Sequence, residues 1–194
     1  KPLVEKYLGS IKKGKKSLSW KYAKPEITPD SVNDDFKVDM QTPKVTVIEV
    51  FHANLDKYRV LDDVALSAAT YILDMRYTKS LREEEGGTYG ASAYGEISNE
   101  PKAEGLIQVY FDTKPAAADK LISLSLDGLN ALAADGPTAD EFDMAVKNLQ
   151  KNIPESRISN GYWMSCLKQN DLFGIDYEKE YENDVNSLKH ADVQ

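Results

Sequence analysis

A chain of 194 residues with 41% hydrophobic content can bury one substantial core, and it carries no repeat long enough for a solenoid. A formal net charge of −8 argues against nucleic acid as the main partner, since phosphate binding needs concentrated Lys and Arg; acidic walls suit basic or mixed peptides instead. No apolar run approaches the roughly 20 residues of a membrane-spanning helix, the first residues lack the charged-then-apolar order of a signal peptide, and Cys166 has no second cysteine with which to form a disulfide. A soluble piece is expected.

Residues 1–9 read as a short helix that opens at Lys1 inside its own pattern, so upstream sequence is expected. Residues 10–43 form a polar connector rich in Lys, Pro and Asp. Gly9 to Ser17 comes close to the phosphate-binding Gly-x-x-x-x-Gly-Lys-[Ser/Thr] pattern, but Lys16 occupies the hydroxyl position and no strand precedes it. Lys12, Lys13, Lys15 and Lys16 therefore read as a solvated run. In residues 44–51, Val45, Val47, Ile48 and Val50 give a β-branched run suited to a largely buried central strand.

From 61 to 82 the apolar residues Leu61, Val64, Ala65, Ala68, Ile72 and Met75 recur at steps of three and four, the pattern of a helix with one buried stripe. Gly86 and Gly87 are suited to end it, since residues without a Cβ accept positive φ. A strand over 88–97 and another over 105–112, dominated by Leu106, Ile107, Val109 and Phe111, follow. Leu121, Leu124, Leu129 and Leu132 mark a second amphipathic helix that stops at Gly136. Thr138 and Glu141 then spell a capping box at the head of a helix running toward Ile153, with Pro154 kinking or ending it. Tyr162, Trp163, Met164, Leu167 and Phe173 read as core packing between helices, with a peptide-docking surface as the other reading, and 176–182 as a surface helix. The order of elements predicts an α+β fold with an antiparallel or mixed sheet and helices on one face.

The run Leu81-Arg82-Glu83-Glu84-Glu85-Gly86-Gly87-Thr88-Tyr89-Gly90 is the candidate site. It places an arginine near the end of a long helix and a tyrosine just past a glycine turn. The guanidinium offers five donors in a fixed fork and the phenol one more, enough to hold peptide carbonyls or a developing oxyanion. A bland reading stands beside it: arginines at helix C-termini are favoured by the macrodipole and can pair with Glu83 or Glu85, and tyrosine is ordinary strand material. The residues alone leave both open. Glu83, Glu84 and Glu85 are read as a solvated acidic corner rather than a metal ligand set, because adjacent positions on a turn point apart.

Arg-x-x-x-Gly-Gly-Thr-Tyr after a long helix resembles the carboxy-terminal-half signature of the pitrilysin/insulinase family of zinc metallopeptidases, the inverzincins. Residues 2–10, the Gly136-Pro137-Thr138-x-x-Glu141 helix start, Asn160 to Trp163 and Phe173-Gly174 also resemble that family, the last two its long bacterial members assigned as zinc proteases. The resemblance covers nearly the whole chain. It implies a processing-peptidase-like domain with its last helix truncated near Ala191 to Gln194; residues 1–43 would be the end of a preceding domain plus linker, and 44–194 the C-terminal α+β domain.

The family's zinc motif, His-x-x-Glu-His plus a distant glutamate, is missing here; the two histidines, His52 and His190, read as core or surface residues. The resemblance therefore implies no metal or other cofactor in this piece and zinc in the full-length enzyme, on an N-terminal half that is fused or a separate subunit. Arg82 and Tyr89 would then bind a peptide or unfolded protein substrate, with Tyr89 also in a catalytic role, and the piece alone would be inactive. A noncatalytic peptide-binding or scaffold subunit is the alternative, and an interaction domain without a peptide role a third. The resemblance further implies a bacterial periplasm or cell envelope location. It also leads us to expect an exposed apolar patch where the missing helix would pack, with a homodimer as one way to cover it.

Overall fold

The computed structural model describes residues 1–12 and 30–194. The nucleotide-loop near miss and the lysines at 13, 15 and 16 lie outside the described residues. The chain falls into two compact units, Lys1–Asn33 and Asp34–Gln194. In the first, helix α1 spans Pro2–Tyr7 with proline in its first turn, where a missing amide costs nothing.

The second unit has the order β1 (Val45–Asn54), α2 (Val60–Tyr77) continuing into a π-helical turn (Thr78–Glu84), β2 (Ala91–Ser98), β3 (Glu104–Thr113), α3 (Ala118–Asp135), α4 (Ala139–Ser156), α5 (Asn160–Phe173) and α6 (Tyr177–Ser187). It is an α+β fold. The sheet is antiparallel throughout, in the order β1-β3-β2, with Val47 opposite Phe111 and Ala93 opposite Val109. Its helical side is built from Val45, Val47 and Phe51 of β1 and Val109 and Phe111 of β3.

The core is organised around α2. Val64, Ala68, Ile72, Leu73, Tyr77 and Leu81 are fully buried, which at about 1.5–3 kcal/mol per large side chain makes this stripe a main contributor to stability. Helix α2 packs on the sheet through β2, and α3, α4 and α6 pack on α2. Ala93 of the edge strand β2 donates its N–H to Asp74 Oδ1 at 2.6 Å, tying α2 to that edge. Tyr77 donates to the Ser125 carbonyl at 2.9 Å, and Ser125 Oγ donates to Glu49 Oε1 at 2.7 Å, so a short polar chain crosses the core from α2 through α3 to β1.

Three expectations need correction. Strand β1 is an edge, and only alternate residues of its apolar run face the helices. Ile48 and Val50 point to the open side and are 57% and 54% exposed. A β-branched run satisfies one-sided and two-sided burial alike, and β3 takes the centre instead. Helix α5 also departs from the core-packing reading. Tyr162, Cys166, Gln169 and Phe173 form its inward stripe, while Trp163, Met164 and Leu167 face outward and are exposed. Helix α6 is less superficial than expected: Val185 is buried, Tyr177 and Tyr181 are partly buried, and Tyr177 donates to Asp63 Oδ2 at 2.7 Å.

The Gly-Pro-Thr-x-x-Glu segment has a structural role. Helix α3 stops at Gly136, whose φ is 73°. Thr138 and Glu141 form the reciprocal capping box at the head of α4. Arg76 of α2 then grips Glu141 in a two-pronged pair at 2.8 and 2.9 Å and donates to the Gly136 carbonyl at 3.3 Å. The Arg76 guanidinium, followed by the Thr138 contacts, holds the Glu141 carboxyl down at about 2, against an ordinary 4.5. A carboxyl whose pKa is depressed by folding adds stability that is fully present above about 4.5 and is lost as pH falls through about 2. Glu141→Gln is expected to cost about 1–3 kcal/mol at neutral pH. Its difference from wild type should shrink as pH drops through that window, measured by denaturant unfolding at several pH values.

Candidate functional site

The turn after α2 is held by contacts that leave its arginine and tyrosine uncommitted. Leu81 is fully buried and anchors the turn from inside. The widened turn closes with Glu85 N–H donating to the Ser80 carbonyl at 3.2 Å, a five-residue step, and Gly87 N–H then reaches the Leu81 carbonyl at 3.2 Å. Such wide turns recur at functional sites in proteins. Gly86 adopts a φ of 59°, which favours glycine.

Gly87 is favoured for a different reason. A Cβ there would lie 2.5 Å from Leu121 Cδ1 on α3, closer than carbon atoms approach. Its carbonyl accepts from Thr113 Oγ1 at 2.6 Å, which pins the turn to the end of β3. Thr88 is buried; its hydroxyl donates to the Gly90 carbonyl at 2.9 Å and accepts from Gly90 N–H at 3.2 Å. Glu85 pairs with Lys120 of α3 at 2.5 Å.

Gly86, Gly87 and Thr88 thus build the turn, and Arg82 and Tyr89 project from it. Tyr89 is 99% exposed and Arg82 is exposed. Neither hydrogen-bonds to the other or pairs with a carboxylate among the described residues, so the bland pairing of Arg82 with Glu83 or Glu85 is not formed. An open depression of about 390 Å³, lined by Asp74, Met75, Thr78, Lys79 and Glu83, lies along the same turn. Asp74 was not singled out from sequence, because its partner Ala93 is 19 residues away; burial pushes its carboxyl pKa up, opposed by the Ala93 hydrogen bond.

The histidines do not converge on a metal site. His52, on the open side of β1, meets Glu104 at 3.1 Å, and His190 stacks on Phe142 with ring centroids 4.1 Å apart. No group of three metal-ligating side chains occurs among the described residues. The donor set that a zinc ion requires is not assembled by them.

Residues 1–149 match the family model described as the peptidase M16 inactive domain. The chain belongs to the peptidase M16 family. The resemblance to pitrilysin-type zinc proteases read from sequence is borne out, and the part of the family that the chain matches is the one described as its inactive domain. Solved structures share the M16 fold. The periplasmic protease PqqL from Escherichia coli superposes with a TM-score of 0.77 at 20% identity, over 99% of this chain and 21% of that one. An inactive peptidase domain from Bordetella parapertussis gives 0.64 at 18% identity, over 81% and 87%. The ferredoxin protease FusC, solved in complex with Arabidopsis ferredoxin, gives 0.61 at 17% identity, over 78% and 17%. The chain therefore spans about a fifth of the length of PqqL. No curated protein matches it. No helix among the described residues is long and apolar enough to cross a membrane.

Gly87→Ala is expected to destabilise the domain by about 1–3 kcal/mol through the clash with Leu121. Combining it with Leu121→Ala should recover part of that loss relative to Leu121→Ala alone, as a double-mutant cycle by denaturant unfolding would reveal.

Proposed function

We propose that this chain is the noncatalytic, substrate-clasping domain of a zinc-dependent endopeptidase, in which Arg82 and Tyr89 reach a peptide at a hydrolysis site whose zinc lies in another domain. The observation that carries this reading is the contrast within one turn: Leu81, Gly87 and Thr88 are held by the fold, while Tyr89 is 99% exposed. The braced turn fixes the backbone beneath Tyr89, so meeting a ligand would order only its side chain. Arg82 would hold substrate carbonyls through its fork of donors, and Tyr89 would donate to the carbonyl oxygen as negative charge develops there.

The zinc-bearing N-terminal half would be part of the same chain or a separate subunit. The substrate class would be peptide or unfolded protein; FusC, solved with ferredoxin bound, offers a precedent for a protein ligand. A periplasmic setting is proposed from the description of PqqL.

A scaffold role is the second reading, favoured by a specific observation. The sheet's open side carries exposed Ile48, Val50 and Tyr94, and α5 presents Trp163, Met164 and Leu167. Such surfaces fit packing against another domain or a second copy as a homodimer.

In an enzyme carrying this domain together with its zinc half, Tyr89→Phe is expected to lower kcat roughly 10²-fold with an unchanged melting temperature. Arg82→Ala should weaken substrate binding as well. Steady-state kinetics on a quenched peptide would check both, and unchanged turnover in Tyr89→Phe would remove the catalytic role while leaving the scaffold reading.

A further inference from the structure

A cavity of about 340 Å³ opens where residues of α2, α4, α5 and α6 meet, and its walls include Tyr58, Asp63, Tyr162, Gln169, Tyr177 and Tyr181. Four of these are tyrosines, and no lysine, arginine or histidine lines the space among the described residues. Tyr177 and Tyr181, one helical turn apart on α6, set their ring centroids 5.5 Å from each other at a tilt of 30°.

Asp63 is a partly buried carboxylate without a cationic partner among the described residues. Its one hydrogen bond comes from Tyr177, which donates to Oδ2 at 2.7 Å. A buried carboxylate is normally paired or forced toward its neutral form. Burial here does push the Asp63 pKa up, with only the Tyr177 hydroxyl opposing it directly. Neighbouring Asp62 is neutralised by Arg59, so Asp63 is the acid left without a counterion at this end of α2. Gln169 also lines the space, although its side-chain oxygen is itself buried and accepts no hydrogen bond.

Aromatic faces attract cations through the ring quadrupole, and a carboxylate supplies the opposite charge. An anion would meet Asp63 with like charge. A neutral apolar ligand would leave the Asp63 carboxylate without a counterion. We propose that this cavity binds an alkylammonium group, carried either by a lysine side chain or by a free primary amine. The volume lies at the small end of ligand sites, suited to a slender chain rather than a multi-ring ligand. Asp63 lies 19 residues before Arg82, roughly 28 Å along the helix axis, so this site is separate from the peptide-clasping role given to Arg82 and Tyr89 and does not rest on it.

The test is a titration of the 194-residue chain followed by two-dimensional amide NMR; a domain of nearly this extent from Bordetella parapertussis has been crystallised. The probes are n-butylammonium, Nα-acetyl-lysine-N-methylamide and, as an uncharged control, 1-butanol. Saturable shifts around Asp63, Gln169 and Tyr177 with either ammonium probe, and none with 1-butanol, are expected. Tighter binding of the lysine derivative would identify a lysine side chain as the natural ligand, and tighter binding of n-butylammonium a free amine. Asp63→Asn, which keeps the shape and still accepts from Tyr177, should weaken binding at least about tenfold. Tyr181→Leu should weaken it too. No shift with either ammonium probe, equal shifts with 1-butanol, or full binding by a folded Asp63→Asn variant would overturn the proposal. The butanol comparison on the wild-type chain decides the matter even if a variant fails to fold.

Discussion

The burial of one side of α2, from Val64 to Leu81, is the constraint on which the rest of the structure depends. Among the described residues this helix packs on β2, α3, α4 and α6 alike. Its stripe has to be filled at both ends, by Val64 near the start and by Leu81 within the π-helical turn. Holding Leu81 inward sets where the turn begins, and the close approach of Leu121 then favours glycine at 87. The exposure of Arg82 and Tyr89 follows from core packing before any functional requirement is considered. Their surroundings are rigid for the same reason.

Charge is distributed to reinforce this frame. Three acids bind elements to one another: Asp74 takes an amide of β2, Glu49 takes the Ser125 hydroxyl of α3, and Glu141 takes Arg76. The Arg76–Glu141 pair also caps α4, so a single carboxylate satisfies a helix terminus and fastens two helices. Asp63 likewise takes the hydroxyl of Tyr177 on α6, and that phenol also lines a cavity.

What was legible in the sequence was local. The three- and four-residue spacing of Val64, Ala68 and Ile72, the stop at Gly136, and the capping box of Thr138 and Glu141 each depend on neighbours within a few residues. The arginine and tyrosine of the motif were visible as a pattern, but the reason for Gly87 was not, because Leu121 lies 34 residues further on. Arg76 was not recognised as the partner of Glu141 for the same reason, being 65 residues away. Misreadings arose where hydrophobicity was read without its facing. Ile48 and Val50 belong to the open side of an edge strand, and Trp163 and Met164 to the outer side of α5, and composition cannot distinguish a core residue from one awaiting a partner. The carboxylate left without a counterion at Asp63 became visible only once Tyr177, 114 residues later, was placed against it.

The most direct test of peptide clasping is site-specific photocrosslinking with a benzophenone-bearing residue installed at position 89, in a protein that carries this domain with its zinc half, presented with a labelled peptide substrate. The expected result is a peptide adduct at position 89 that is competed by unlabelled peptide and absent when the same group is placed at the exposed Leu172 of α5. Equal labelling at both positions, or none at position 89 while the peptide is being cleaved, would contradict a substrate-facing role for this turn.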